Sequence, residues 1–287
     1  MIQALANGLV NGTIYVLVAL SLTIIYSIFR VPHFGLGGIL VWGAFMAYFA
    51  VNAFKLNFLM GVVFAAASMA ALGLVVEKVA FKPLRASTEG AIFVSAVGVL
   101  IALENAALVL WGDANRSISI PKSLDFTVAI PGVLYLPAMR VLIFVVVMLV
   151  IVGLWLLIKK TKMGKSMRAV AQDRVAARLL GVPIDRVASY TFALGSAMAG
   201  VAGAFLAAGF AFVYHMGGML ILKGFVIVVL GGLGSVGGAI VGGFILGVAD
   251  SLTLTYVTSE FKNLVTFSLL ILILVIRPQG IFGEIER

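Results

Sequence analysis

Long apolar stretches alternate with short polar segments along the whole chain. A helix needs roughly 20 apolar residues to cross the hydrocarbon core of a bilayer. By this measure the pattern predicts spans near residues 4–29, 34–53, 57–81, 91–111, 139–158, 188–213 and 263–276. The stretch 221–257 is too long for one crossing and holds either two short spans or a re-entrant element before one tilted span. The pattern therefore predicts an all-α polytopic membrane protein with about eight or nine transmembrane helices, some of them short or broken.

The composition supports this pattern and excludes other classes of protein. Hydrophobic residues make up 63% of the chain and charged residues 11%, whereas soluble domains average roughly 45–50% and about 25%. So few charges could not cover the surface of a soluble enzyme or nucleic-acid-binding domain of this length. The chain has no cysteine, so no disulfide and no thiolate metal site can form.

The basic residues predict the orientation. Eight of the 20 Lys and Arg residues fall within 159–186, which holds only two acids. Lys and Arg collect in cytoplasmic loops, so this loop is expected inside, with the N-terminus outside and the C-terminus cytoplasmic. That arrangement requires an odd number of crossings and favours nine, with two spans in 221–257. The basic residues left outside or at the interface are Lys55, Arg116, Lys122, Arg140, Lys223 and Lys262.

Two loops stand out between the spans. The outer loop 112–138 alternates polar and β-branched residues between prolines, which predicts a small extracytoplasmic cap or hairpin. The inner loop 159–187 predicts one short helix over 166–180, stopped by Gly181, with Asp185 as a cap for the next helix. This inner loop is either a solvated, topology-setting segment or a docking surface for a partner. The apolar residues that favour docking are Val170, Ala171, Ala177 and Leu180.

Three separated motifs resemble one family of permeases. They are MGKSMRAVAQD at 163–173 followed by AARLLGV at 176–182, GGLGSVGGA at 231–239, and RPQGIFG at 277–283, with Asn7, Gly8 and Gly12 near the start. The chain resembles the membrane subunits of branched-chain amino acid ABC importers (LivH/LivM type). The resemblance implies one transmembrane permease domain over 1–287, with a coupling helix in the inner loop that docks on an ATP-binding subunit. The implied coupling residues are Gly164, Met167, Arg168, Val170, Ala171, Asp173, Ala177, Arg178, Leu180 and Gly181.

The resemblance also implies partners and a location. It implies a second permease subunit (a related chain or a second copy), two ATP-binding subunits and an extracytoplasmic substrate-binding protein, in a bacterial or archaeal plasma membrane. The chain itself would then be no enzyme and would hold no cofactor, because ATP and magnesium would bind to the partner. The absence of a GxxxxGK[ST] motif agrees with this expectation.

The segment after the first span departs from the family pattern. His33 stands where the family usually has Asn, and Leu36 stands where it has His. The substrate therefore stays open among a branched-chain amino acid, another amino acid, urea or an amide, and an organic acid. The residues expected to break the helix here, as a hinge or as a pathway wall, are Pro32, Gly35, Gly37 and Gly38.

The glycine-rich motif matches a dinucleotide fingerprint only by its letters. Its membrane context and the lack of an acid about 20 residues later argue against a Rossmann unit. The better interpretation is a tight turn with close helix packing, through Gly232, Gly234, Gly237 and Gly238.

Polar residues inside the predicted spans are the candidates for a translocation path, because they are costly in lipid. Each could equally form an interhelical hydrogen bond. The larger burial cost of a carboxylate favours a pathway role for Glu104 and Asp250. The two histidines, at unrelated positions, make no metal site. The candidates are Asn7, Asn11, Thr13, His33, Ser95, Glu104, Asn105 and Asp250.

Two functional hypotheses follow. The first is the permease subunit of an ATP-driven importer of a small amino-acid-like solute, with alternating access driven by an ATPase docked on 163–187. The alternative is an ion-coupled secondary transporter or channel, in which buried carboxylates would bind the coupling ion.

Overall fold

A computed structural model describes residues 1–85, 87–118, 126–130, 134–258 and 260–283. Its described part contains nine apolar helices, six of them long enough to cross a membrane by length and composition and three shorter. The prediction of an all-α polytopic protein is confirmed, and the stretch 221–257 divides into two helices. The apolar helices are α1 (Ile2–Phe29), α2 (Leu36–Asn52), α3 (Phe58–Val76), α4 (Glu89–Trp111), α5 (Ala138–Lys160), α8 (Ile184–Gly209), α9 (Met216–Gly231), α10 (Val236–Tyr256) and α11 (Lys262–Ile276).

Three smaller features complete the described structure. A π-helical turn over Glu77–Phe81 extends α3, and two short polar helices, α6 (Lys162–Gln172) and α7 (Arg174–Leu179), lie between α5 and α8. The end of the bundle that carries α6 and α7 is called the inner end, and the opposite end the outer end. At the outer end β1 (Thr127–Ile130) pairs antiparallel with β2 (Leu134–Pro137).

The helices α1 and α8 form the centre of the bundle. Both are mostly buried, whereas α4 and α5 expose most of their length. The exposed side chains of α4 and α5 are largely apolar, for example Val109 and Leu149. Such a surface suits lipid or another membrane chain, and the hydrophobic cluster around α1 and α8 is the core.

Glycines allow the central helices to approach closely. A Cβ atom at Gly43 of α2 would lie 2.6 Å from the Cα of Gly200 in α8, and one at Gly8 of α1 would lie 2.7 Å from the Cα of Val248 in α10. Gly247 of α10 faces Gly12 of α1 in the same crossing. Small residues permit such backbone contact in membrane bundles, where packing rather than hydrophobicity drives helix association.

The glycine-rich motif forms the turn between α9 and α10 at the inner end. Gly232 and Gly234 have φ angles of 105° and 84°, which residues with a Cβ rarely adopt. Gly231 and Gly238 face each other at close range across the turn. Gly237, by contrast, would place a Cβ with no described atom within 4 Å, so no close packing is present there.

The segment that follows α11 packs on this same turn. The N–H of Ile281 donates to the carbonyl of Leu230 at 2.9 Å, and the N–H of Phe282 donates to that of Gly231 at 3.0 Å. Two of the motifs that carry the family resemblance therefore meet in space, although about 40 residues separate them.

The outer loop contains the predicted hairpin. The side chain of Gln3 accepts from the N–H of Tyr135 at 2.8 Å and donates to its carbonyl at 2.7 Å, which ties β2 to the start of α1. Arg116 exchanges two backbone hydrogen bonds with Phe212, just after α8. Lys122, which was expected in this loop, lies outside the described residues.

Candidate coupling surface and buried polar clusters

The inner loop forms two helices instead of the single predicted one. Asp173 divides them: its backbone is extended, and its carboxylate caps α7 by accepting from the N–H groups of Val175 and Ala176 at 2.7 and 2.9 Å. Gly181, at φ 78°, follows the end of α7 as the sequence predicted. Asp185 caps no helix, because it lies within the first turn of α8 and forms an ion pair with Arg85.

The faces of α6 and α7 differ from the predicted docking face. Val170 and Ala177 are buried within this chain, so their side chains are not available to a partner. The large exposed apolar side chains are Val175, Leu179 and Leu180, of which the two leucines are each 83% exposed. The other coupling candidates divide into buried Gly164 and Met167, half-buried Ala171, and exposed Arg168, Asp173, Arg178 and Gly181.

Arginines tie this helix pair to the transmembrane helices. The Nη2 group of Arg30, at the C-terminus of α1, donates to the carbonyl of Ala171 at 2.9 Å. Arg168 donates to the carbonyl of Ile158 in the last turns of α5. Each guanidinium thus meets the carbonyl-rich C-terminal end of a helix, where a cation is favoured.

A cavity of about 1160 Å³ lies beside α6 at the inner end, between α1, α9, α11 and the segment after α11. Its lining mixes polar and apolar side chains. The residues that give it polarity include Tyr26, Ser27, Arg30, Arg168, Gln172 and Gln279.

One partly buried charge cluster lies at the inner end and is named the inner clamp: Glu77, Arg85, Asp185 and Ser189. Arg85 forms ion pairs with both Glu77 and Asp185. Ser189 of α8 donates to the second carboxylate oxygen of Glu77 at 3.0 Å. The clamp thereby joins the π-turn, the connection between α3 and α4, and the first turns of α8.

A second cluster lies among the transmembrane helices and is named the Asp250 cluster. The fully buried carboxylate of Asp250 accepts from the Tyr15 hydroxyl at 2.6 Å, the Lys223 ammonium at 2.6 Å and the Thr266 hydroxyl at 3.3 Å. Lys262 lies 3.7 Å from the same carboxylate. The cluster connects α1, α9, α10 and α11, and the expectation that Lys223 lies outside or at the interface is wrong because this side chain is buried within α9.

The remaining polar candidates do not gather around Asp250. Several form local contacts of their own: Arg140 donates to Asn7 at 3.0 Å, and Ser95 donates to the carbonyl of Ala80 at 3.1 Å. Thr13 donates to a carbonyl within its own helix, Asn105 does the same from an exposed position, and Asn11 is half-buried on α1.

Glu104 meets the start of α9. Its carboxylate accepts from the N–H of Gly218 at 2.9 Å, where it satisfies a donor in the first turn of that helix. Gly37, on the neighbouring α2, faces Gly217 closely at the same point.

His33 lies in the break between α1 and α2. It is 1% exposed and packs against the rings of Phe81 at 4.4 Å and Phe192 at 5.2 Å. Neither ring nitrogen has a hydrogen-bond partner among the described residues. Burial lowers the pKa of His33 to about 3, so its imidazole is neutral.

The other residues between α1 and α2 account for the break in the helix. Arg30 adopts a left-handed conformation after α1, Pro32 follows, and α2 starts at Leu36. Gly35 and Gly38 lie against α4, since a Cβ at either would come within 2.8 Å of a side-chain atom of Val99 or Leu103. No three His, Asp or Glu side chains in the described part of the chain cluster as a metal site would require.

These features define an integral membrane protein with a multi-helix bundle and a polar helix pair at one end. The chain belongs to the family described as branched-chain amino acid transport system / permease component, whose model matches residues 4–274. It is 33% identical to the high-affinity branched-chain amino acid transport system permease protein LivH of Escherichia coli K12, over all of this chain and 97% of the relative.

Two further proteins are similar to this chain. BraD of Pseudomonas aeruginosa, also named as a high-affinity branched-chain amino acid transport system permease protein, is 33% identical over all of this chain and 97% of its own. A chain of PsaBC from Streptococcus pneumoniae, solved in complex with Fab, matches with a TM-score of 0.53 at 12% identity, over 96% of this chain and 92% of that one. That second likeness concerns the fold alone.

Proposed function

We propose that this chain is the membrane permease subunit of an ATP-driven importer of a small amino-acid-like solute, with branched-chain amino acids as the first candidates. The single observation that carries the proposal is the 33% identity to LivH over the full chain. The nine apolar helices and the polar helix pair at one end support it.

In this proposal α6 and α7 receive the ATP-binding subunit. Val175, Leu179 and Leu180 expose apolar surface beside the basic residues of the loop, which suits the groove of a partner. ATP and magnesium bind on that partner, so this chain carries out no hydrolysis. Two such subunits, a second permease and an extracytoplasmic substrate-binding protein complete the importer.

The proposed orientation places the inner end in the cytoplasm of a bacterium or archaeon and the N-terminus outside. The eight basic residues within 159–186 support it. Because the chain has no native cysteine, single cysteines can test it. Lys165→Cys at the inner end should react with an impermeant maleimide only in opened vesicles, and Asn115→Cys at the outer end should react in intact cells. The reverse pattern would overturn the orientation.

Reconstitution tests the function. In proteoliposomes, uptake of radiolabelled leucine should require the second permease, the ATP-binding subunits, the binding protein and ATP. Uptake by this chain alone, driven by an ion gradient, would favour the secondary-transporter alternative and contradict the proposal.

The docking surface has its own test. Leu179→Asp combined with Leu180→Asp should abolish copurification of the ATP-binding subunits without loss of folding, because both side chains are exposed. Phe126→Asp changes an exposed apolar residue of the outer loop and serves as the matched control. Normal copurification of the double variant would show that the partner binds elsewhere.

A further inference from the structure

Movement of α6 and α7 can reach the bundle along several routes. They continue covalently into α5 and α8, and Arg30 bonds α6 to α1. The inner clamp adds a route to α3 and α4, which are not neighbours of the helix pair along the chain. Asp185, six residues after Leu179 at the end of α7, forms an ion pair with Arg85 in the connection between α3 and α4.

The clamp extends from the protein surface to a buried position. The side chain of Asp185 is 77% exposed, that of Arg85 13% and that of Glu77 3%. Arg174, at the start of α7, belongs to the same electrostatic environment. Burial lowers the pKa of Arg174, the charge of Arg85 lowers it further, and the charge of Asp185 raises it.

Glu77 begins the π-helical turn, and this geometry is uncommon. π-turns occur mostly as single interruptions of α-helices and are frequent at functional sites. Here the turn ends at Phe81, whose ring packs 4.4 Å from that of His33 in the break between α1 and α2. The inner clamp is thus connected through the π-turn to the break between α1 and α2.

His33 lies beside Phe81, and neither of its ring nitrogens is hydrogen-bonded to a described residue. A buried side chain with two unpartnered ring nitrogens costs free energy. Such groups are few in folded proteins, and each is one that a water or a second conformation can satisfy.

We propose that Arg85 is a positioning residue for energy coupling, which transmits movement of α6 and α7 through Glu77 and the π-turn to the break between α1 and α2. This inference rests on the proposed function. It assigns the role to the ion pairs and not to the docking surface, so loss of Arg85 should leave the ATP-binding subunits in place and impair only the use of ATP.

The test compares three variants in the complete, reconstituted importer. Arg85→Met removes both ion pairs, Asp185→Asn removes only the exposed one, and Lys82→Met is the matched control, because it removes an exposed cation from the same turn. The measured quantities are copurification of the ATP-binding subunits, ATP hydrolysis, and leucine taken up per ATP hydrolysed.

Arg85→Met should keep copurification and hydrolysis close to the parent level and lower uptake per ATP at least about fivefold, as expected for a lost coupling free energy. Asp185→Asn should lower the ratio less, and Arg85→Lys should restore part of it. An unchanged uptake per ATP in Arg85→Met would overturn the inference while the proposed function stands. If Arg85→Met does not fold, an unchanged uptake per ATP in Asp185→Asn would overturn it in the same way. Absence of ATP-driven uptake by the parent importer would overturn both.

Discussion

The Asp250 cluster and the inner clamp are both built around a buried carboxylate, yet their surroundings differ. Asp250 receives its hydrogen bonds from three other transmembrane helices, and its closest cation, Lys223, is itself buried. Glu77 shares its cation, Arg85, with a carboxylate at the surface. The first cluster therefore holds helices to one another, whereas the second connects the bundle to the segment that follows α7.

This difference has an energetic consequence. A buried ion pair contributes little net stability, since desolvation offsets the attraction, but removal of one partner leaves an isolated charge at a cost of about 3–5 kcal/mol. The pair of Arg85 with Asp185, whose carboxylate is 77% exposed, is screened and contributes only about 0–1 kcal/mol. Loss of the Asp185 carboxylate should therefore cost far less stability than loss of the Asp250 carboxylate.

The largest effect is expected at Asp250. Asp250→Leu leaves Lys223 buried without its carboxylate and removes the acceptor of the Tyr15 hydroxyl. We expect a loss of about 3–5 kcal/mol in stability, visible as a lower melting temperature in detergent and poor membrane insertion.

The double variant separates the burial of a charge from a specific role of the pair. Lys223→Met combined with Asp250→Leu replaces both charges by apolar groups and should recover most of the stability. Asp113→Asn, at an exposed acid of the outer loop, is the control. A double variant as unstable as Asp250→Leu alone would mean that the cluster contributes more than mutual charge compensation.

Asp250 could be predicted from the sequence as a candidate polar residue within a span, but its partners could not. Lys223 lies 27 residues away and Tyr15 lies 235 residues away, on separate helices. No periodicity within one helix reports which other helix it contacts. The position of Lys223 was predicted wrongly for a related reason: a count of basic residues places a lysine near the end of an apolar stretch outside or at the interface, although a carboxylate on a neighbouring helix allows its burial.

At the inner end, too, local features could be predicted from the sequence, whereas contacts between distant residues could not. The helices and the glycine turn could be predicted because length, hydropathy and positive φ are local properties of the chain. The division of the inner loop at Asp173 depends on a competition between continuing one helix and capping a second, and composition alone did not resolve it. The contacts of the clamp with α8 join Arg85 to Asp185 and Glu77 to Ser189, which lie 100 and 112 positions apart in the chain.

An intermediate effect, dependent on pH, is expected at His33. Its folded pKa of about 3 lies below the ordinary value of 6.5, so the unfolded chain binds more protons between these values. Stability should therefore fall as the pH drops below about 6.5, by up to about 1.4 kcal/mol per pH unit. His33→Leu should remove this part of the acid sensitivity.

The measurement is the change in melting temperature between pH 7.5 and pH 5 for parent and variant, conditions that span the upper part of this range. His215, the second of the two histidines, is exposed before α9, so His215→Leu is the matched control and should keep the parent's sensitivity. Equal acid sensitivity in all three proteins would mean that His33 gains a polar partner in solution. His33 would then be hydrogen-bonded, as the buried polar groups of the Asp250 cluster are, and this difference between the two regions would disappear.

The smallest effects are expected at the turn between α9 and α10, which joins the helices of the Asp250 cluster at the inner end. Gly234→Ala forces a residue with a Cβ into φ 84° and should cost about 1–2 kcal/mol. Gly237→Ala, three residues later in the first turn of α10, meets open space and should stabilise the helix by about 0.5–1 kcal/mol. Melting temperatures of the two variants in detergent should therefore move in opposite directions from the parent. If both melting temperatures shift in the same direction, this turn adopts another backbone conformation in solution. The inner ends of α9 and α10 would then be less firmly held than the buried ion pair within these helices.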